Sequence, residues 1–203
     1  MLDYSYETEA HENGYKVVCG VDEAGRGPLA GPVFAAAVIL PEGYSHEILN
    51  DSKKLSEKKR DIVYDDIIRD AVSWSVGIAT EKEIDDINIL NATFLAMKRA
   101  VDGLSICPDL AYIDGNREPK TGVKEITIIK GDAKCMSVAA ASIIAKVSRD
   151  RFMLEIDEKY PQYQFSKHKG YGTKLHYEML EKYGVSDVHR KTFLKKIIGE
   201  GNE

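Results

Sequence analysis

The sequence predicts an α/β fold, a mixed five-stranded sheet flanked by helices with a small helical appendage at the C-terminus. Three observations lead there. Two short apolar runs, Val17-Val18-Cys19-Gly20-Val21 and Val33 to Leu40, flank a glycine-rich turn, as neighbouring buried strands do. From Ser56 onward, helical periodicity alternates with further strand-like runs. A length of 203 residues with 43% hydrophobic content suits one folded unit with a full core.

The elements follow in order. Residues 1–14 read as a flexible acidic arm, and the fold is expected to begin at Tyr15 and to occupy 15–159. The first strand ends on Asp22-Glu23 and runs at once into Ala24-Gly25-Arg26-Gly27-Pro28. Ser56 is placed to cap a helix to about Asp70, with Ile62, Val63, Ile67 and Ile68 as its apolar side. A third strand spans Ala71 to Thr80, where Thr80 and Glu83 have capping-box spacing for a helix to about Asp102, interrupted near Asn88. Leu110 to Asp114 and Glu125 to Lys130 are the fourth and fifth strands. Gly131-Asp132 opens a long helix whose first turns, Met136 to Ala145, are rich in Ala and Ser, which lets it lie close on the sheet. Residues 160–203 form the extension, with helices from Thr173 to Tyr183, closed by Gly184, and from Lys191 to Ile198.

The net charge of −5 argues at first against a polyanionic partner. Its distribution answers that. Asp3, Glu7, Glu9 and Glu12 lie in the first fourteen residues without a Lys or Arg, so the remainder carries about −1. From Lys159 to Lys196 there are nine Lys or Arg against three Asp or Glu, so a basic surface coexists with the acidic total. No stretch has the apolar length of a membrane span, and Met1 to Gly14 lacks the basic-then-apolar order of a signal peptide, so a cytoplasmic protein is expected. Cys19, Cys107 and Cys135 lack metal or redox spacing and are expected as reduced, mostly buried thiols.

Asp22, Glu23, Asp114 and Asp132 each fall at a strand end or helix start with Gly close by, so they can converge at one sheet edge. Successive strand residues face opposite ways, and Asp22 and Glu23 share a site only if the backbone turns beside them, which the glycine turn provides. Four clustered carboxylates repel one another unless a cation intervenes, and oxygen ligands suit Mg²⁺ or Mn²⁺ better than zinc. Two such ions, roughly 3.5–4 Å apart, suit attack on a phosphodiester. Lys53, Lys54, Lys146, Lys169 and Arg190 are candidates for phosphate contacts, with solvated surface charges as the alternative. Asp150 is expected to pair with a neighbour; His168, His176 and His189 invite a general acid or base reading, which two metals make unnecessary, so only His189 stands as a helper.

The eleven residues Asp22 to Pro32, DEAGRGPLAGP, resemble the signature of ribonuclease HII, the type 2 family of ribonucleases H. Further segments similar to that family recur in order: Asp51-Ser52-Lys53-Lys54-Leu55-Ser56, Tyr112-Ile113-Asp114-Gly115-Asn116, Lys130-Gly131-Asp132-Ala133-Lys134, Ala139 to Val147 leading to Arg149-Asp150-Arg151, and His168-Lys169-Gly170-Tyr171-Gly172-Thr173. The resemblance spans about Tyr15 to Phe193. The sister type, ribonuclease HIII, typically carries Lys at the centre of the turn and a large extra N-terminal domain, so Arg26 and the short N-terminus favour HII.

The resemblance implies a ribonuclease H-like architecture, with 15–159 as catalytic domain and 160–203 as substrate-binding extension. It assigns Asp22, Glu23, Asp114 and Asp132 to metal binding and catalysis. It gives Gly25-Arg26-Gly27 the reading of the 2′-hydroxyl, and Tyr171 the stacking on the sugar. The implied activity is a monomeric endonuclease that uses Mg²⁺ or Mn²⁺ to cut the RNA strand of an RNA–DNA hybrid and to cut 5′ to single ribonucleotides in duplex DNA. A DNA-cutting nuclease of the same architecture and a hybrid-binding protein without catalysis remain as rivals.

Overall fold

The computed structural model describes residues 2–49 and 55–195. Strands β1 (Val18–Ala24), β2 (Val33–Ile39), β3 (Ser73–Ala79), β4 (Leu110–Asp114) and β5 (Lys124–Ile128) form one sheet in the order β3-β2-β1-β4-β5. β1, β2 and β3 pair antiparallel, whereas β4 runs parallel to β1 and β5 parallel to β4. The mixed five-stranded sheet read from the sequence is thus the one observed. In the β1–β4 register Val21 lies beside Ile113, so the next residues along, Asp22 and Asp114, stand side by side where the pairing of these two strands ends.

Side-chain alternation divides β2 between two cores. Val33, Ala35, Ala37 and Ile39 join a cluster with Ala96 and Met97 of α3 (Glu81–Asp102). Ala36 and Val38 face Val63 and Ile67 of α2 (Glu57–Asp70) and the alanine run of α4 (Met136–Lys159). Helix α4 lies so close on β1 that a Cβ added to Gly20 would stand 2.1 Å from the Ser137 carbonyl carbon. The small residues of α4 therefore bring its polar positions, Ser142 and Lys146, up to the strand ends.

Ser56 caps α2, and Thr80 with Glu83 makes a complete capping box at the start of α3. Asn88 breaks α3 with φ 66°, and its side-chain oxygen accepts from the N–H groups of Leu90 and Asn91, so the second half of the helix starts on its own cap. Past α4 the chain makes two short helical elements, α5 (Phe165–His168) and α6 (Lys174–Tyr183), with Thr173 and Gly184 at the ends of α6. They pack on the β1–β2 loop through Leu29, Met153, Tyr163, Phe165, Leu180 and Leu194. The expected helix from Lys191 is a 3₁₀ turn, Lys191–Phe193, and the rest of that reading, 196–198, lies outside the described residues. Among the described residues no helix is long and apolar enough to cross a membrane.

The expectation of a flexible arm at 1–14 is overturned. Residues Ser5–Glu12 form helix α1, and Glu7 is buried at 1% exposure. Its carboxylate accepts from the N–H of Ser137 at 2.7 Å and from the Ser137 hydroxyl at 2.6 Å. Cys135, the N-cap of α4, makes no side-chain cap of its own, so Glu7 supplies a negative group at that helix end from a distant part of the chain. The Tyr112 hydroxyl, donating to the Tyr6 carbonyl at 2.8 Å, anchors α1 a second time. Acidic composition alone could not reveal that one of the acids is a cap.

Candidate active site

At the C-terminal edge of β1 and β4, a cavity of about 440 Å³ gathers Asp22, Glu23, Asp114, the Gly25-Arg26-Gly27 turn, Lys146 and Tyr171. A second groove of about 310 Å³, walled by Thr93, Phe94, Asn116 and Arg117, shares Glu23, Arg26 and Asp114 with it. The carboxylates therefore stand in the floor of a trough. The N–H of Glu23 donates to Asp22 at 2.7 Å, Arg26 pairs with Glu23 at 3.2 Å, and the N–H of Gly131 donates to Asp114 at 2.6 Å. That last bond ties the 3₁₀ turn Gly131–Ala133 to the end of β4. Asp132, on that turn, is buried and does not line the cavity.

Burial, with the charges of Glu23 and Asp114 beside it, holds the Asp22 carboxyl well above the usual range. Glu23 is raised by its own burial against the pull of Arg26, with Asp114 adding to the rise. Among the described residues no three His, Cys, Asp or Glu side chains already form a metal cage. The donor set nevertheless fits a hard divalent cation. It is all oxygen, and its buried, mutually repelling acids are the arrangement that a cation relieves.

The glycine turn is held from behind by two buried arginines. Arg190 donates to the carbonyls of Gly31 (2.8 Å), Arg26 (2.9 Å) and Gly25 (2.6 Å). Arg149 donates to those of Pro32, Lys169 and Ala30 at 3.0–3.1 Å. Because a trans peptide points its C=O and N–H in opposite directions, fixing the carbonyls of Gly25 and Arg26 on Arg190 turns the N–H groups of Arg26 and Gly27 away from it. Gly25 has φ 98°, and a Cβ there would lie 2.1 Å from Arg149 Nε, so this position accepts only glycine. Burial first, then Arg149, lowers Arg190 to about 9.

Arg190 thus corrects a reading from sequence. It is 0% exposed and faces main-chain carbonyls, not phosphate. Lys169 does not line the cavity; its ammonium donates to the Ser166 carbonyl at 2.8 Å, while its own carbonyl receives Arg149. Lys146 does line it and pairs with Asp150 at 2.7 Å, the partner expected for that acid. Lys53 and Lys54 lie outside the described residues. Arg60 and Arg117 line the trough without having been singled out, and Ser142 does so from the Ala139 to Val147 run; only the packing of α2, α4 and the β4 end brings them there. The three histidines are buried behind Tyr171, outside the cavity.

Residues 19–196 match the Ribonuclease HII family. Over 195 residues the chain is 53% identical to the ribonuclease HII of Caldicellulosiruptor bescii, covering 96% of this chain and 95% of that protein. Among solved structures it is similar to the ribonuclease H2 from Pyrococcus horikoshii OT3, with a TM-score of 0.76 and 30% identity over 91% of this chain and 98% of that one. Bst-RNase HIII, solved in complex with Mn²⁺, shares the fold at a TM-score of 0.68 and 20% identity, over 86% of this chain and 65% of that one.

Proposed function

Since the chain belongs to the ribonuclease HII family, whose members are endoribonucleases of the ribonuclease H type, we propose that it cuts the RNA strand of RNA–DNA hybrids and cuts 5′ to single ribonucleotides in duplex DNA, leaving 3′-hydroxyl and 5′-phosphate ends. One observation carries this reading: a single cavity joins the paired carboxylates to a glycine turn whose amides point away from their anchor and to an exposed tyrosine ring.

Asp22, Glu23, Asp114 and, from the adjoining turn, Asp132 are the residues to hold Mg²⁺ or Mn²⁺, and two such ions would supply an activated water and a stabilised 3′-oxygen leaving group. The chain's own part is selection and placement. The N–H groups of Arg26 and Gly27 donate to the 2′-hydroxyl, the group that tells RNA from DNA. Tyr171, 42% exposed and close to Gly27, stacks on the sugar at the cut. Lys146 meets the backbone phosphate from α4, and Lys169 acts through its carbonyl on Arg149. Residues 160–203 serve as the substrate-binding extension, since Tyr171 comes from them. The same reading has the enzyme act as a monomer, in the cytoplasm.

The test is cleavage of a labelled DNA duplex carrying one ribonucleotide, with Mg²⁺ or Mn²⁺, beside an all-DNA duplex and an Asp114→Asn variant. The expected result is cutting 5′ to the ribonucleotide by the wild type alone, with ends that a ligase rejoins. Equal cutting of the all-DNA duplex would overturn the role of the turn. Binding without cutting would overturn catalysis.

A further inference from the structure

The segment bearing Tyr171 is tied to three buried histidines, and their hydrogen bonds admit one arrangement of protons. The Ser186 N–H donates to His189 Nδ1 at 3.1 Å, so that nitrogen is the acceptor and the ring proton sits on Nε2. His189 Nε2 lies 3.1 Å from His176 Nε2, which must then accept, leaving the His176 proton on Nδ1. His176 Nδ1 lies 3.0 Å from the carbonyl oxygen of Tyr171, which can only accept. His168 obeys the same logic, taking the Gly170 N–H on Nδ1 at 3.2 Å and donating from Nε2 to the Tyr163 carbonyl at 2.9 Å. Each ring is neutral, and each ring nitrogen is engaged.

We infer that His189 and His176 are positioning residues for Tyr171, a one-way chain of two neutral imidazoles that fixes the Tyr171 carbonyl and so the angle at which its exposed ring enters the cavity. The inference rests on the proposed contact of Tyr171 with the sugar. The carbonyl is gripped twice, since the Thr173 N–H also donates to it at 2.8 Å. The rings themselves are fixed by stacking. His168 lies flat on His176 at 4.4 Å, Phe165 meets His176 edge-on at 5.4 Å, and Tyr163 meets His189 at 4.8 Å. Burial leads in pushing both His176 and His189 down to about 4. The titratable groups facing them are the other rings, with Asp157 and Lys169 acting on His168. Neither ring lines the cavity, so the chain works through Tyr171 and not on the reacting atoms.

Two measurements on the whole protein test this. In ¹⁵N-labelled wild type at pH 6, His176 is expected as the Nδ1–H tautomer and His189 as the Nε2–H tautomer, both neutral. A charged ring or the opposite tautomer at His176 would overturn the chain. On the single-ribonucleotide duplex, His176→Leu is expected to raise KM about tenfold with kcat within about two-fold, and His176→Asn, whose amide sits where Nδ1 does, to recover most of the loss. In a Tyr171→Ala background His176→Leu should add little, because both changes remove one function. Full additivity, or no recovery by His176→Asn, would overturn the inference. A Tyr171→Ala variant that cuts like wild type would instead remove the sugar-contact reading, and the tautomer measurement would still decide the chain. Should His176→Leu not fold, His189→Gln, which keeps a donor at the Nε2 position, is expected to hold wild-type KM, and a tenfold rise would overturn the inference.

Discussion

The two walls of the cavity are built on opposite electrostatic principles. On the strand side Asp22, Glu23 and Asp114 are crowded together, and burial and mutual repulsion raise Asp22 and Glu23 above their ordinary values. On the loop side the polar groups are closely matched: two buried guanidiniums on six carbonyls, and neutral histidines in a single proton order. The contrast teaches a division of labour. The strand wall keeps a deficit of positive charge that a cation relieves, while the loop wall spends its hydrogen bonds on shape before any ligand arrives.

The sharpest way to break that comparison is Asp22→Asn. Cleavage is expected to fall at least about 10³-fold, as for a group that holds catalytic ions. The metal-free protein should nonetheless melt higher, by about 2–4 °C for each kcal/mol of repulsion relieved. A lower melting temperature would show that the strand wall is not strained.

Arg190→Ala probes the other wall in the opposite sense. It leaves the carbonyls of Gly25, Arg26 and Gly31 buried without their donor, a loss of about 3 kcal/mol or more in urea unfolding. Arg190→Lys should recover less than half of this, since an ammonium cannot reproduce the planar fork. An unchanged unfolding midpoint in Arg190→Ala would refute the clamp.

The walls should also respond to pH with opposite signs. His176 and His189 have folded values near 4 against 6.5 in the unfolded chain, so the unfolded state binds more protons between those values and stability rises with pH there, by about 3 kcal/mol at most for each ring. Asp22 and Glu23 are raised in the fold, so the folded state binds more protons just above their ordinary values and their contribution falls as pH rises. Added Mg²⁺ should remove the falling part and steepen the rise of melting temperature from pH 4 to 6.5. A slope unaffected by Mg²⁺ would contradict the comparison. The smallest effects belong to the lysines. Lys146→Ala should weaken duplex binding several-fold and lower the salt dependence by about one ion, whereas Lys169→Ala should change either within about two-fold.

Much of the strand wall was legible in the sequence because its signals are local. An apolar run that stops on an acid marks β1 and β4, and side-chain caps at Ser56, Thr80 and Asn88 fix the helices by short-range bonds. The loop wall was legible only in its glycines and Tyr171. Its fasteners bond to main-chain carbonyls, Arg149 and Arg190 across long separations and the histidines nearby or to one another, and a carbonyl leaves no mark in a sequence. Glu7 escaped for the same reason, its partner being a helix end rather than a side chain of opposite charge. Charged residues are expected at the surface by default, and here the exceptions build the site.

The bond from Arg190 to the Gly25 carbonyl spans 165 positions, which gives the site an order of assembly. On a ribosome the acids of β1 and β4 emerge and pair long before the clamp exists, and the turn gains its final shape only once Arg190 is free. A nascent or prematurely ended chain therefore holds the acids proposed to bind ions without the set turn proposed to read the 2′-hydroxyl. A finished shape at the turn is reserved for polypeptides that extend past Arg190.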